Sequence, residues 1–212
     1  MSETLIIFTR FPEPGRTKTR LMPELGANGA AALHRALVER TLHTVRQASE
    51  TRDVVLEIHH TGEVAPMQAW LGAEWKYRPQ AAGDLGARML ASLAAADGPA
   101  VLIGTDCPDL TPEILVGAFA ALPQNDVVLG PAADGGYYLV GMNSARPEIF
   151  VDIPWGGAQV LSSTRDRLAQ AGLRWHELAI LSDIDRPEDL ARVPRELLPD
   201  RSFTRSFVRK KD

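Results

Sequence analysis

The chain has very little cysteine. Cys107 stands alone in 212 residues, which excludes an internal disulfide framework and predicts a reducing, cytoplasmic setting. Five scattered histidines show no zinc-type spacing, so any metal here is expected to be a hard, carboxylate-held ion such as Mg²⁺ or Mn²⁺. No apolar run approaches the roughly 18 residues of a membrane span. A strand-like segment begins within four residues of Met1, leaving no room for a signal peptide. A net charge of -4 supplies no broad basic face, so neither nucleic acid nor membrane is an expected partner. Three phosphate or nucleophile signatures are also missing. There is no G-x-x-x-x-G-K-S/T loop, no G-x-G-x-x-G opening the first helix and no G-x-S-x-G elbow. These absences argue against a P-loop enzyme, a dinucleotide fold and an α/β-hydrolase.

What is present is an alternation of two apolar rhythms. Short β-rich runs occur at 5–8, 54–58, 100–103, 126–129 and 137–140, and longer segments of helical period lie between several of them. Leu33, Leu37, Val38, Leu42 and Val45 form one such stripe, and Leu85, Met89, Leu90 and Leu93 another. Thr111, Pro112 and Glu113 mark the start of a third helix with a capping hydroxyl, a first-turn proline and a first-turn acid. The fold class predicted is α/β, with a Rossmann-like, mixed but mostly parallel sheet and helices on both faces. The two β-runs separated only by PAADGG predict an antiparallel excursion. Without a repeat or linker, one domain is expected over residues 1–198. Residues 199–212, where Arg201, Arg205, Arg209, Lys210 and Lys211 collect, read as a flexible basic tail.

Chemistry-bearing residues cluster at strand ends. FTRFPEPGRTKTRL places Arg10, Arg16, Lys18 and Arg20 around Gly15, straight after the first strand. In an open α/β sheet that edge is where ligands bind, and cations there suit phosphate; taken alone, the stretch reads equally as a solvated basic loop. AVLIGTDCPDL puts Asp106 at the end of a buried strand, where it can hold a divalent cation or cap the turn before Pro108. Cys107 has no histidine near it in sequence and is read as structural. In LSDIDRPEDL, Asp185 with Glu188 reads as a capping box; Asp183 has no such local task, and either acid is a candidate second ligand to the ion of Asp106. In GPAADGGYY, Asp134 precedes Gly135 and Gly136, read as a hairpin turn or as a turn that a ligand approaches. QAAGDLGARM offers Gln80, Gly83, Asp84 and Arg88 at a helix mouth, suited to an anion or sugar hydroxyls, with Asp84 equally readable as an N-terminal charge.

In that order, FTRFPEPGRTKTRL, QAAGDLGARM, VLIGTDCPDLTPEIL, LGPAADGGYYLVGM and LSDIDRPEDL resemble the motifs of a bacterial glycosyltransferase-like family. It was once known only as a domain of unknown function, and its members are often described as arsenosugar-biosynthesis glycosyltransferases. The resemblance spans about residues 3 to 195. More distantly it is similar to nucleotidyltransferases that make molybdenum-cofactor and phospholactate guanylyl derivatives. It implies the nucleotide-diphospho-sugar transferase (GT-A-like) fold and an enzyme, a metal-dependent glycosyltransferase taking a nucleotide-diphosphate sugar and a small-molecule acceptor. Nucleotidyl transfer from a nucleoside triphosphate is the alternative, and a nucleotide-binding protein without catalysis a third. By resemblance, Arg16, Lys18 and Arg20 lie near phosphates, Asp106 binds the metal, and Asp183 or Asp185 is the second acid. Asp134 to Gly136 fall on the sugar or acceptor side. TDCPD departs from a D-x-D motif, and a proline-containing loop replaces the glycine-rich loop of the nucleotidyltransferases.

Overall fold

The computed structural model describes residues 2–199; the part of the predicted basic tail from 200 onward lies outside the described residues. Seven strands form one sheet in the order β3-β2-β1-β4-β6-β5-β7. They are β1 (Glu3–Arg10), β2 (Val54–Thr61), β3 (Lys76–Pro79), β4 (Ala100–Ile103), β5 (Val127–Pro131), β6 (Tyr137–Met142) and β7 (Trp175–Glu177). Pairing is parallel throughout except for β6, which runs antiparallel between β4 and β5. The β5–β6 hairpin is the excursion that PAADGG predicts.

Among the described residues five α-helices cover the sheet: α1 (Met22–Thr51), α2 (Val64–Leu71), α3 (Leu85–Ala94), α4 (Pro112–Ala121) and α5 (Val160–Gln170). Leu33, Leu37, Val38, Leu42 and Val45 are all buried on α1, as their period requires. One face of the sheet packs Leu5, Ile7 and Ile58 against α1, α2 and α4. The other packs Ile6, Leu102 and Val140 against α3 and α5. Such alternation along a strand is the consequence of its two-residue period. β3 and α2 carry too little contrast between apolar and polar positions to stand out in the sequence.

A smaller apolar cluster fixes the functional edge. Leu21, Ala30, Leu33 and Leu37 bury Ile184 and Val193. This clamps the segment after β7 against the loop after β1, two regions more than 160 residues apart in the chain. The segment is also stitched to β4 and β5, because Ile184 N–H donates to the Asp106 carbonyl at 2.9 Å and Ala133 N–H to that of Leu181 at 2.9 Å. It carries a 3-10 helix, Pro187–Arg192. Here the expected capping pair is corrected. Asp189, not Glu188, reaches back to the N–H groups of Asp185 (2.9 Å) and Arg186 (2.7 Å). The carboxylate of Asp185 is therefore spared that role.

Candidate active site

Because six of seven strands are parallel, their carboxyl ends converge on one edge, and two adjoining clefts open there. The first, about 300 Å³, is lined by Arg10, Arg16, Thr17, Lys18, Thr19, Arg20, His34, Asp106 and Asp185. The second, about 310 Å³, includes Gly104, Asp106, Asp134, Gly136, Tyr137, Tyr138, Trp155 and Asp183 in its lining. Asp106 and Arg20 belong to both. The cationic loop and four of the predicted acids, Asp106, Asp134, Asp183 and Asp185, are thus brought to one place.

The loop is more tightly built than its sequence suggests. Thr17 is buried and accepts from the Glu13 N–H at 3.1 Å, and Lys18 adopts a left-handed conformation at φ 50°. That conformation is uncommon for a side chain of this type and persists only when surroundings fix it. They do so here. The Lys18 ammonium lies 2.8 Å from Asp106 Oδ1, with 4% of the lysine side chain exposed against 45% of the aspartate, and it also donates to the Ile184 carbonyl. Arg20 makes a parallel pair with Asp185, while Arg16 is exposed and meets Glu13 at 3.3 Å. Desolvation in the cleft pushes the Asp106 carboxyl up, but Lys18, His34 and Arg10 together outweigh it and hold the group below its ordinary range. Asp183 goes the other way: burial raises it first, and the nearby charges of Asp134, Asp106 and Asp185 add to the rise.

These pairings bear on which of Asp183 and Asp185 could join Asp106 at an ion. Asp185 is joined to Arg20, and among the described residues no group of three or more His, Cys, Asp or Glu side chains stands close enough to hold an ion. A smaller donor set still fits Mg²⁺ or Mn²⁺. Asp106 and Asp183 line the same cleft, Asp183 carries like-charge repulsion that a cation would relieve, and Mg²⁺ usually takes one or two carboxylates plus substrate phosphates.

Other predicted site residues have structural tasks and line neither cleft. Asp84 caps α3, accepting from Ala87 N–H at 2.8 Å. Gln80 donates to the His59 carbonyl at 2.8 Å and accepts from Arg88, so both side chains fasten the β1–β2 edge. Gly83 and Gly15 supply positive φ, 109° and 83°. Gly135 is closely confined by protein: a Cβ there would lie 2.1 Å from the Ala158 carbonyl oxygen. Its turn also consumes its own polar groups, since Gly135 N–H donates to Ala132 O at 3.1 Å and Gly136 N–H to Asp134 Oδ1 at 2.8 Å. Cys107 is buried and its thiol is pushed far up, first by burial and then by Asp106 and Asp183, which agrees with its inert reading.

The sequence reading misses the wall of the second cleft. Trp155 packs its indole where a Gly86 Cβ would fall, 2.5 Å from Cζ2. It stands edge-on to Tyr137 at 6.3 Å and stacked on Phe150 at 6.3 Å. Only the PWGG that carries it, a glycine-flanked aromatic, hinted at this. His34, also missed, donates from Nε2 to the Arg10 carbonyl at 3.1 Å beneath the first cleft.

Ser92, His59 and Glu57 form a line of hydrogen bonds, 2.8 and 3.0 Å, resembling a proton relay. All three are buried and none lines either cleft, so the line is structural. It has a pH consequence. Burial lowers both His59 and His34 below the ordinary histidine value, so the unfolded chain binds their protons first. Stability should be full above about pH 6.5 and be lost as pH falls through that value. Urea unfolding midpoints should therefore drop between about pH 7.5 and 5.5; a flat profile would contradict the assignment.

A family profile described as an uncharacterized protein conserved in bacteria (DUF2064) matches residues 41–157. No curated protein matches the chain. Among solved structures, a protein from Desulfovibrio desulfuricans G20 described as a putative nucleotide-diphospho-sugar transferase is 33% identical with TM-score 0.84, covering 98% of this chain and 92% of its own. Two others share the fold alone. CMP:2-keto-3-deoxy-manno-octonic acid synthetase with CTP is 13% identical, with TM-score 0.56 over 91% of this chain and 96% of its own. Glucosyl-3-phosphoglycerate synthase from Mycobacterium tuberculosis, with Mn²⁺, UDP and phosphoglyceric acid, is 14% identical, with TM-score 0.53 over 90% and 73%. By profile and by structure together, the chain belongs to the bacterial DUF2064 family within the nucleotide-diphospho-sugar transferases, and it is an enzyme of the transferase class.

Proposed function

We propose that the protein transfers a glycosyl group from a nucleotide-diphosphate sugar to a small-molecule acceptor, with a divalent cation. The carrying observation is the pair of unlike clefts meeting at Asp106: one lined by four cations, the other by aromatic rings and carboxylates. The cationic cleft suits the diphosphate of the donor, and the aromatic one its sugar, since a ring's apolar face packs on indole and its hydroxyls reach Asp134 and Asp183.

In this reaction the bond between the anomeric carbon and the diphosphate oxygen breaks, and a bond to an acceptor oxygen forms. Arg16, Lys18 and Arg20 stabilise charge developing on the departing nucleoside diphosphate. Asp134, whose Oδ1 is fixed by Gly136 N–H, keeps Oδ2 to accept the acceptor's proton. Asp106 and Asp183 would hold Mg²⁺ or Mn²⁺, which when bound supplies Lewis-acid stabilisation of the diphosphate.

Nucleotidyl transfer is the second reading, favoured by the same cationic cleft, and it differs in what is released. Incubation with a panel of nucleotide sugars and nucleoside triphosphates plus Mg²⁺ should yield nucleoside diphosphate from a sugar nucleotide. Acceptor-dependent pyrophosphate, with no turnover of any sugar nucleotide, would establish nucleotidyl transfer instead. Trp155→Ala should raise KM for the sugar nucleotide roughly tenfold, the scale of one lost stacking contact, and leave affinity for the bare diphosphate unchanged. Equal losses for both ligands would move the sugar off Trp155.

A further inference from the structure

The loop cations do not wait free for phosphate. Lys18 sits 2.8 Å from Asp106 and is almost wholly buried there, capped on its other side by the Ile184 carbonyl. Arg20 sits on Asp185. Two cations that would meet phosphate are thus already engaged, and one of the acids that would meet a metal ion is Lys18's own partner.

We propose that the Lys18 ammonium is a resident counter-cation of Asp106 that nucleotide phosphates draw away, so that phosphate and divalent cation bind with positive coupling. The inference rests on the phosphate and metal reading given above. A divalent ion arriving alone must compete with an ammonium already held against Asp106. A diphosphate arriving alone takes that ammonium and strands Asp106 in a cleft it shares with Asp134 and Asp183. When both arrive, the partners exchange: ammonium to phosphate, carboxylate to metal, with no charge left unpaired. Such coupling is reciprocal, each ligand tightening the other by one factor. Lys18 is in this sense a positioning residue. Its left-handed backbone, φ 50°, aims the ammonium at Asp106, and its flexible stem lets the charge move to phosphate without moving the loop.

The test is Mn²⁺ titration, with free ion counted by electron paramagnetic resonance, on wild type and on Lys18→Met without nucleotide. Removing the competing ammonium should tighten Mn²⁺ binding by about tenfold or more, while weakening binding of uridine, guanosine, cytidine or adenosine diphosphate. Lys18→Gly, which the left-handed backbone accepts, should do the same and guards against a folding defect. Lys18→Arg should keep Mn²⁺ binding weak. In wild type, the nucleoside diphosphate that binds should tighten Mn²⁺, and the reverse, by equal factors; in the Met and Gly variants that factor should shrink by about tenfold or more, to the part that direct contact between ion and phosphate supplies. Folded variants with unchanged or weaker Mn²⁺ affinity would make Lys18 a structural support and overturn the inference alone. A wild type that binds neither Mn²⁺ nor any of these diphosphates would overturn the phosphate reading and this inference with it.

Discussion

Asp106→Asn should lower kcat/KM by at least about 10³-fold, the scale on which one centrally placed electrostatic group contributes to catalysis. The fold should survive, because the amide keeps a carbonyl oxygen for the Lys18 ammonium that now lies 2.8 Å from Asp106 Oδ1. Asp106→Ala should behave differently. It leaves Lys18 in its buried position with the Ile184 carbonyl as remaining acceptor, so about 1–2 kcal/mol of stability should disappear with the activity. Side-by-side kinetics and urea unfolding separate the effects. If Asn and Ala lost equal stability, the ion pair would be incidental; if Asn retained most activity, Asp106 would not be at the reacting centre.

Gly135→Val is expected to cost on the order of 2–4 kcal/mol of folding stability, a range set by backbone strain combined with a steric clash. Position 135 has φ 92°, where a β-branched residue is strongly disfavoured. Its Cβ would also meet Ala158 backbone atoms from 2.1 to 2.9 Å away, which cannot rotate aside as a side-chain tip does. The Leu161 N–H to Gly135 carbonyl bond, 2.8 Å, would strain with it, detaching the start of α5. Thermal unfolding checks the size of the loss. A near-native midpoint would mean that the turn yields easily and that Gly135 serves something other than packing against residue 158.

The parallel sheet and its binding edge were legible because they follow from period and position. A buried run ending in Gly104-Thr105-Asp106 and a basic loop after the first strand obey rules that hold within a dozen residues. What was illegible depends on contacts between distant segments. Lys18 and Asp106 both stood out as charged residues, but their pairing follows from the burial of Ile184 against Leu21 and Leu33, which no local pattern encodes. For the same reason Asp185 appeared as a metal ligand or a cap when its partner is Arg20. Asp189 took the capping role because a 3-10 start at Pro187 shifts the register by one. Glycines mislead in a related way: Gly135 carries the signature of a ligand-approached turn, yet the group that approaches is the backbone of residue 158. Trp155, in the turn before α5, reached the wall of the second cleft by way of Gly86 on α3, a complementarity visible only once both are placed.

The central claim is that one nucleotide straddles the two clefts, with its diphosphate against the cationic loop and the ion of Asp106. A crystal structure of the protein grown with Mn²⁺ and a nucleotide sugar that it turns over or binds would test this most directly. The diphosphate should contact Lys18 and Arg16, the ion should lie on Asp106 and Asp183, and the sugar should face Trp155. A nucleotide found elsewhere, or one in this edge with Lys18 still on Asp106 and no ion between carboxylate and phosphate, would contradict the account.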